Sequence, residues 1–94
     1  MTRFYFHVRN GNGFTRDEEG RELLDSAQAR KQALQDVRSI LSEEVRRGLI
    51  DLRGSVEITD AAGNAVVAVP FSDAVELRLE GGAAIDGDDP KERA

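Results

Sequence analysis

The sequence predicts an α+β fold: a two-layer ββαββ sandwich in which a four-stranded antiparallel sheet packs on one long helix. Three observations support this prediction. The chain starts with apolar and polar residues in strand-like alternation, its middle repeats apolar residues at helical spacing, and a second pair of strand-like segments follows. Because one helix covers one face of a sheet, the order hairpin, helix, hairpin gives two layers.

The first hairpin occupies the start of the chain. Phe4, Phe6 and Val8 alternate with more polar residues, which places the three apolar side chains on one face of a strand. Residues 10–13 contain two Asn and two Gly, the residue types that accept the backbone angles of a tight turn. Residues 14–16 then form a short second strand.

A long helix is predicted over residues 27–47. Asp25 or Ser26 can accept a hydrogen bond from a free backbone N–H at the start of this helix. Gly48 follows two arginines, so cations lie near the negative end of the helix dipole and a glycine is available to end the helix. Apolar residues recur every three or four positions and form one stripe. The stripe consists of Ala29, Ala33, Leu34, Val37, Ile40, Leu41 and Val45.

The second hairpin follows the helix. Residues 55–59 alternate apolar and polar side chains, and residues 60–64 have the composition of a turn. The last strand, residues 65–71, has no polar alternation, so both of its faces are expected to contact other protein. Pro70 cannot donate a hydrogen bond, which places it near a sheet edge or a strand end.

The C-terminal part of the chain is less regular. Residues 72–79 fit either a short helix or a strand, because a serine that can cap a helix precedes apolar residues at every second position. From Gly81 onward the composition is dominated by Gly, Ala and Asp, which predicts a disordered acidic tail over residues 81–94. Residues 1–80 are therefore expected to form a single α+β domain.

Composition narrows the possible functions. The 94 residues include 13 basic and 18 acidic ones, for a net charge of −5. This balance makes nucleic acid an improbable partner, because phosphate binding relies on clustered Lys and Arg. The absence of cysteine excludes disulfides, thiolate nucleophiles and cysteine metal sites. Without a signal-peptide pattern or an apolar membrane span, a cytoplasmic location with no membrane contact is expected.

No catalytic, cofactor or metal site is predicted. His7 is the single histidine, and neither a nucleophile motif nor metal-ligand spacing accompanies it. Asp17 or Glu19 could join it as a general base or ligand, but a half-exposed histidine on the outer face of a strand is the simpler interpretation. Residues 11–13 lack the third glycine and the following helix of a phosphate loop. The chain is therefore expected not to be an enzyme and to need no cofactor.

The outer face of the first strand is the main candidate for a binding face. Two arginines and two rings that can stack extend along about 20 Å of this face and could bind a single-stranded nucleic acid or another anion. The competing interpretation is an ion-paired surface. If Val8 lies opposite Phe14, two residues of this face lie opposite acidic residues of the turn at residues 17–20. Those acidic neighbours would largely neutralise the face. The candidate binding face consists of Arg3, Tyr5, His7 and Arg9.

The last strand supplies a candidate interface. Its apolar residues would leave one sheet face uncovered, which predicts a homodimer with Val67 and Val69 at the interface. The favoured function is therefore a non-enzymatic module that binds a protein partner, whose identity the sequence does not give. The alternative function is a regulator that binds nucleic acid or another anion through the first strand.

Three motifs resemble a known family. FHVRNG (residues 6–11), DEEGREL (17–23) and VPFSDA (69–74) are similar to those of short proteobacterial proteins classed as a domain of unknown function. The resemblance covers about residues 1–79 and implies a bacterial, cytoplasmic protein, without an activity or site residues. The element order is more distantly similar to that of HicB-like antitoxins. Those usually carry an added DNA-binding module, for which nothing after Leu79 provides a counterpart.

Overall fold

A computed structural model describes residues 1–80 and shows the α+β sandwich that the sequence predicts. One helix, α1 (Ser26–Arg46), lies between two groups of strands along the chain, and a 3₁₀ turn (Phe71–Ala74) follows the last strand. The acidic tail predicted for residues 81–94 lies outside the described residues. The strands are β1 (Thr2–Asn10), β2 (Gly13–Thr15), β3 (Arg21–Leu23), β4 (Ser55–Asp60) and β5 (Ala65–Pro70).

All strand pairs are antiparallel, in the order β2-β1-β4-β5, with β3 also pairing with β1. β2 pairs with the C-terminal end of β1 and β3 with its N-terminal end, so the two short strands share one edge and leave a gap between them. The sequence predicted four strands; β3 is an additional one, too short to show an alternation. The register assumed for the ion-paired interpretation of the first strand differs by one residue from the observed one, in which Val8 lies opposite Thr15 rather than Phe14.

The core lies between α1 and the inner face of the sheet, as the alternation in β1 and the helical stripe predicted. Val45 is the exception, since its side chain is 54% exposed and the fully buried part of the stripe ends at Leu41. The buried hydrophobic residues of the strands and the helix are Phe4, Phe6, Val56, Ile58, Val69, Ala29, Ala33, Val37 and Leu41.

Both ends of α1 are closed by local hydrogen bonds. The Asp25 carboxylate accepts from the backbone N–H of Gln28 at 2.9 Å, so the N-terminal cap is Asp25, one of the two residues that the sequence offered. At the other end, the N–H groups of Gly48 and Leu49 donate hydrogen bonds to carbonyls of the last helical turn, both at 2.9 Å. This is the pattern of a Schellman motif. The described part of the chain holds no helix with the length and apolar character that crossing a bilayer requires.

A 3₁₀ turn comes directly after β5. It covers Phe71–Ala74, and residues 75–79 have no regular secondary structure, so neither predicted alternative extends over the whole of 72–79. Arginines of α1 hold the turn: Arg38 donates to the Ala74 carbonyl at 2.7 Å, and Arg30 pairs with Asp73 at 3.3 Å. The chain therefore passes from the sheet to the helix layer at this turn.

Val67 and Val69, the candidate interface residues, point into the fold. Val69 is fully buried in the core, and Val67 packs against it. This burial corrects the interface prediction, because neither side chain lies on the free face of the sheet. An apolar run without alternation does not indicate which residues face inward, and a register shift beside Val66 further changes the pattern.

Gly54, just before β4, allows Phe71 to pack against the backbone. A Cβ at this position would lie 2.7 Å from the carbonyl oxygen of Arg9 and 2.8 Å from a ring carbon of Phe71. We therefore expect Gly54→Ala to lower the free energy of unfolding by about 2 kcal/mol, measured by urea denaturation. A Cβ at Gly11 would have an Asp51 carboxylate oxygen as its nearest neighbour, at 3.4 Å. Gly11→Ala should change stability by less than about 0.5 kcal/mol, and equal effects would contradict the prediction.

Candidate functional site

The face of the sheet opposite α1 carries a row of three rings. The rings of Tyr5 and His7 are nearly parallel, with centroids 6.5 Å apart and an angle of 8° between their planes. Phe14, from β2, has its ring centroid 5.7 Å from that of His7. We call Tyr5, His7 and Phe14 the aromatic row. Together with residues 16–18 and the turn between β4 and β5, the row lines a groove of about 600 Å³, the outer groove.

His7 is buried rather than half-exposed, with 8% of its surface accessible. The backbone N–H of Asp17 donates to His7 Nδ1 at 3.0 Å, so that nitrogen carries no proton. Nε2 then carries the proton of the neutral ring and lies 3.0 Å from the Thr59 hydroxyl oxygen. Both ring nitrogens are engaged within the chain, which leaves neither for a metal ion or a substrate. The exposure prediction was wrong because the residues after β2 fold back onto β1, which strand alternation cannot show.

Asp17 fills the gap that β2 and β3 leave at the edge of β1. One carboxylate oxygen accepts from the N–H of Phe6 at 3.0 Å, and the other accepts from those of Glu19 and Gly20 at 3.1 and 3.2 Å. Burial alone would raise the pKa of Asp17, but these three N–H groups and the charge of Arg21 outweigh it and lower the pKa. Asp17 is therefore an ionised acceptor that completes the sheet edge.

Both arginines of the candidate binding face are ion-paired. Arg9 lies 2.8 Å from a carboxylate oxygen of Glu57, and its guanidinium carbon is 4.7 Å from the centroid of the Phe14 ring. Arg3 lies 3.3 Å from Glu22. The geometry agrees with the ion-paired interpretation of this face, although the partners come from β3 and β4. The hydrogen bond from Arg9 lowers the pKa of Glu57.

The outer groove is acidic. Its lining includes a single arginine, Arg16, against four carboxylates. Within residues 1–80, no three carboxylates or imidazoles are grouped as metal ligands would be. The backbone N–H of Asn64 holds the pKa of Asp60 below its usual value, so this carboxylate is ionised at neutral pH. The groove therefore favours a cation over an anion. The four carboxylates belong to Asp17, Glu18, Glu57 and Asp60.

A smaller cavity of about 450 Å³ lies on the other side of residues 16–20, between β1 and α1. Arg21 borders it, with its guanidinium carbon 5.0 Å from the centroid of the Phe6 ring and an ion pair to Asp36 of α1 at 2.9 Å. These contacts tie β3 to the helix, which indicates a structural role for this region.

A protein-family model described as a domain of unknown function, DUF6894, matches residues 3–72. The chain belongs to the DUF6894 family. This membership confirms the resemblance to an unknown-function family, whereas the likeness to HicB-like antitoxins stays a prediction. Searches of the curated proteins and of the solved structures returned no match. The DUF6894 match covers nearly all of the sheet and the whole helix, and it ends within the 3₁₀ turn.

The sequence of this DUF6894 chain did not reveal two contributors to the outer groove. Thr59 and Glu57 are brought beside β1 by β4, about fifty residues further along the chain, opposite Tyr5 and His7 respectively. Their alternation with Val56 and Ile58 placed them on the outer face, which was the available signal. Which residues of β1 they would meet depends on register, and a single sequence does not give register.

Proposed function

We propose that the protein is a non-enzymatic interaction module that forms a homodimer, with residues 75–79 of each copy adding as a strand to β5 of the other. The main support is that this segment has an apolar side chain at every second position and that these side chains are exposed to solvent. Val75, Leu77 and Leu79 are 37%, 55% and 57% exposed, and the backbone of Val75 is extended at φ −140° and ψ 157°. No strand within residues 1–80 pairs with this segment. Such a segment has the pattern of a strand whose sheet belongs to another molecule.

β5 offers a place for such a strand. It is the outer strand of the sheet, and its residues, AVVAVP, carry no charge. Exposed edges are commonly protected by charged residues, bulges or proline. Here the register shift beside Val66 and the ring of Pro70 leave the stretch around Val67–Val69 open. Strands β2 and β3 each pair with β1 over three residues, so a short pairing suffices in this fold.

The 3₁₀ turn explains why a second copy is the expected partner. Arg30 and Arg38 hold this turn against α1 instead of beside β5, so residues 75–79 do not pair with their own sheet. One chain thus carries both an unpaired segment with strand-like alternation and an open sheet edge. A two-fold axis satisfies both at once and gives a closed dimer.

We expect Leu77→Glu to weaken the dimer at least about tenfold, because a leucine that is buried at the interface becomes a charged side chain. Light scattering during size-exclusion chromatography of the full chain should give twice the mass of one chain for the wild type. Leu77→Glu should shift this mass toward that of a monomer. Circular dichroism would show whether α1 is retained.

Leu24→Glu is the matched control, because Leu24 is 67% exposed and lies outside the segment. This variant should remain dimeric. A monomeric wild type at micromolar concentration would overturn the proposal, as would equal losses in the two variants.

The alternative function, binding of a nucleic acid or another anion along β1, has weaker support. Arg3 and Arg9 already pair with carboxylates, and the neighbouring groove is acidic. We therefore expect no shift of a single-stranded oligonucleotide in low salt. A salt-sensitive shift that is lost in Arg3→Glu/Arg9→Glu would favour this function instead.

A further inference from the structure

The aromatic row already holds one cation. The guanidinium of Arg9 lies over the Phe14 ring and pairs with Glu57, so a ring face and a carboxylate together bind a positive group at one end of the row. Tyr5 lies at the other end, and no cation of residues 1–80 lies over its ring. Tyr5 is half-buried and lines the outer groove, so its ring is the second one of the row at which a cation from another molecule can make such a contact.

The charges around Tyr5 favour a cation. Glu18, from the loop after β2, lines the outer groove together with Tyr5. Asp60, which lies opposite Phe4 at the end of β4, adds its charge at the border of the groove. Asp60 uses its carboxylate to hold the turn to Asn64, but these contacts involve N–H donors and leave the negative charge in place. An anion would meet net repulsion in the groove, whereas a cation would meet carboxylates beside a ring.

The size of the groove fits a side chain. Its volume of about 600 Å³ lies within the range of sites that bind small groups. Guanidinium is planar and weakly hydrated, so it stacks on a ring while donating to carboxylates in its plane. Ammonium groups are compact and strongly hydrated, and they gain less from such a surface.

We propose that the outer groove binds an arginine side chain of a protein partner, with its guanidinium on the Tyr5 ring and its N–H groups directed to Glu18. This site goes beyond the homodimer and does not depend on it. Neither β5 nor residues 75–79 line the outer groove. Binding should therefore persist in the Leu77→Glu variant, so failure of the homodimer and failure of this site can be distinguished.

The chain contains its own probes of the groove. Tyr5 is the single tyrosine of a chain without tryptophan, and His7 is the single histidine. Tyrosine fluorescence and the imidazole Hε1 resonance therefore report on the aromatic row alone. Titration of the full chain with an acetylated, amidated oligoarginine peptide should give a saturable change in both signals. Oligolysine of the same length should bind more weakly, and oligoglutamate should produce no change.

Glu18→Gln should weaken oligoarginine binding about three- to fivefold, as expected for one exposed charge pair. Glu43→Gln is the matched control, since it removes the same charge from an exposed position on α1, away from the groove. The control should bind like the wild type. Equal weakening in both variants would indicate general attraction to an acidic chain and would overturn the proposal. Absence of saturation, or binding of a single-stranded oligonucleotide in place of oligoarginine, would overturn it as well.

Discussion

Phe71→Ala is expected to lower the free energy of unfolding by about 4 kcal/mol, the largest loss expected from a single substitution in this domain. The Phe71 ring is fully buried and is among the largest buried side chains of the domain. It packs against Gly54 on the sheet side, while the rest of its turn is held to α1 by Arg38. Its removal leaves a cavity where the sheet, the turn and the helix meet.

Urea denaturation followed by circular dichroism would measure this loss. A small domain has a total stability of only about 5 to 10 kcal/mol, so this loss removes about 40 to 80% of it and the variant should unfold at a much lower urea concentration. Phe14→Ala is the control, because Phe14 is 46% exposed. It should cost less than about 1.5 kcal/mol. Similar losses in the two variants would show that Phe71 does not join the layers.

Asp17→Ala is expected to lower the free energy of unfolding by about 3 kcal/mol, since it leaves three backbone donors without an acceptor. The Phe6 N–H matters most, because Phe6 lies in the middle of the central strand, at the gap between β2 and β3. Glu19→Ala removes the same charge two residues away and should change stability by less than about 0.5 kcal/mol. A comparable loss in both variants would contradict the assigned role of Asp17.

The same carboxylate should make stability depend on pH. The pKa of Asp17 is lower in the folded chain than its ordinary value, so its ionised form stabilises the fold. This contribution is present above the unfolded pKa of about 3.9 and is lost as the pH falls through the folded pKa. The difference in unfolding free energy between wild type and Asp17→Asn should therefore shrink as the pH falls below about 4. A difference that stays constant from neutral to acidic pH would argue against an ionised Asp17.

The sequence by itself determined the features that depend on local periodicity. Phe4 and Phe6 were assigned to the core because side chains on a strand alternate between its faces. The helix was predicted to within one residue at each end, because its apolar stripe, the Asp25 cap and Gly48 are local signals. The two-layer arrangement followed from the order of these elements, and family membership followed from short motifs.

Only the tertiary structure decided how the strands meet. Val67 and Val69 face the core because β5 pairs with β4 in one particular register, and an apolar run fits either register equally well. His7 is buried because Asp17 folds back onto β1, and Arg9 finds Glu57 on a strand that follows the helix. These contacts join residues between ten and about fifty positions apart. No local pattern specifies such pairs, because register and chain reversal are settled by the packing of the whole domain.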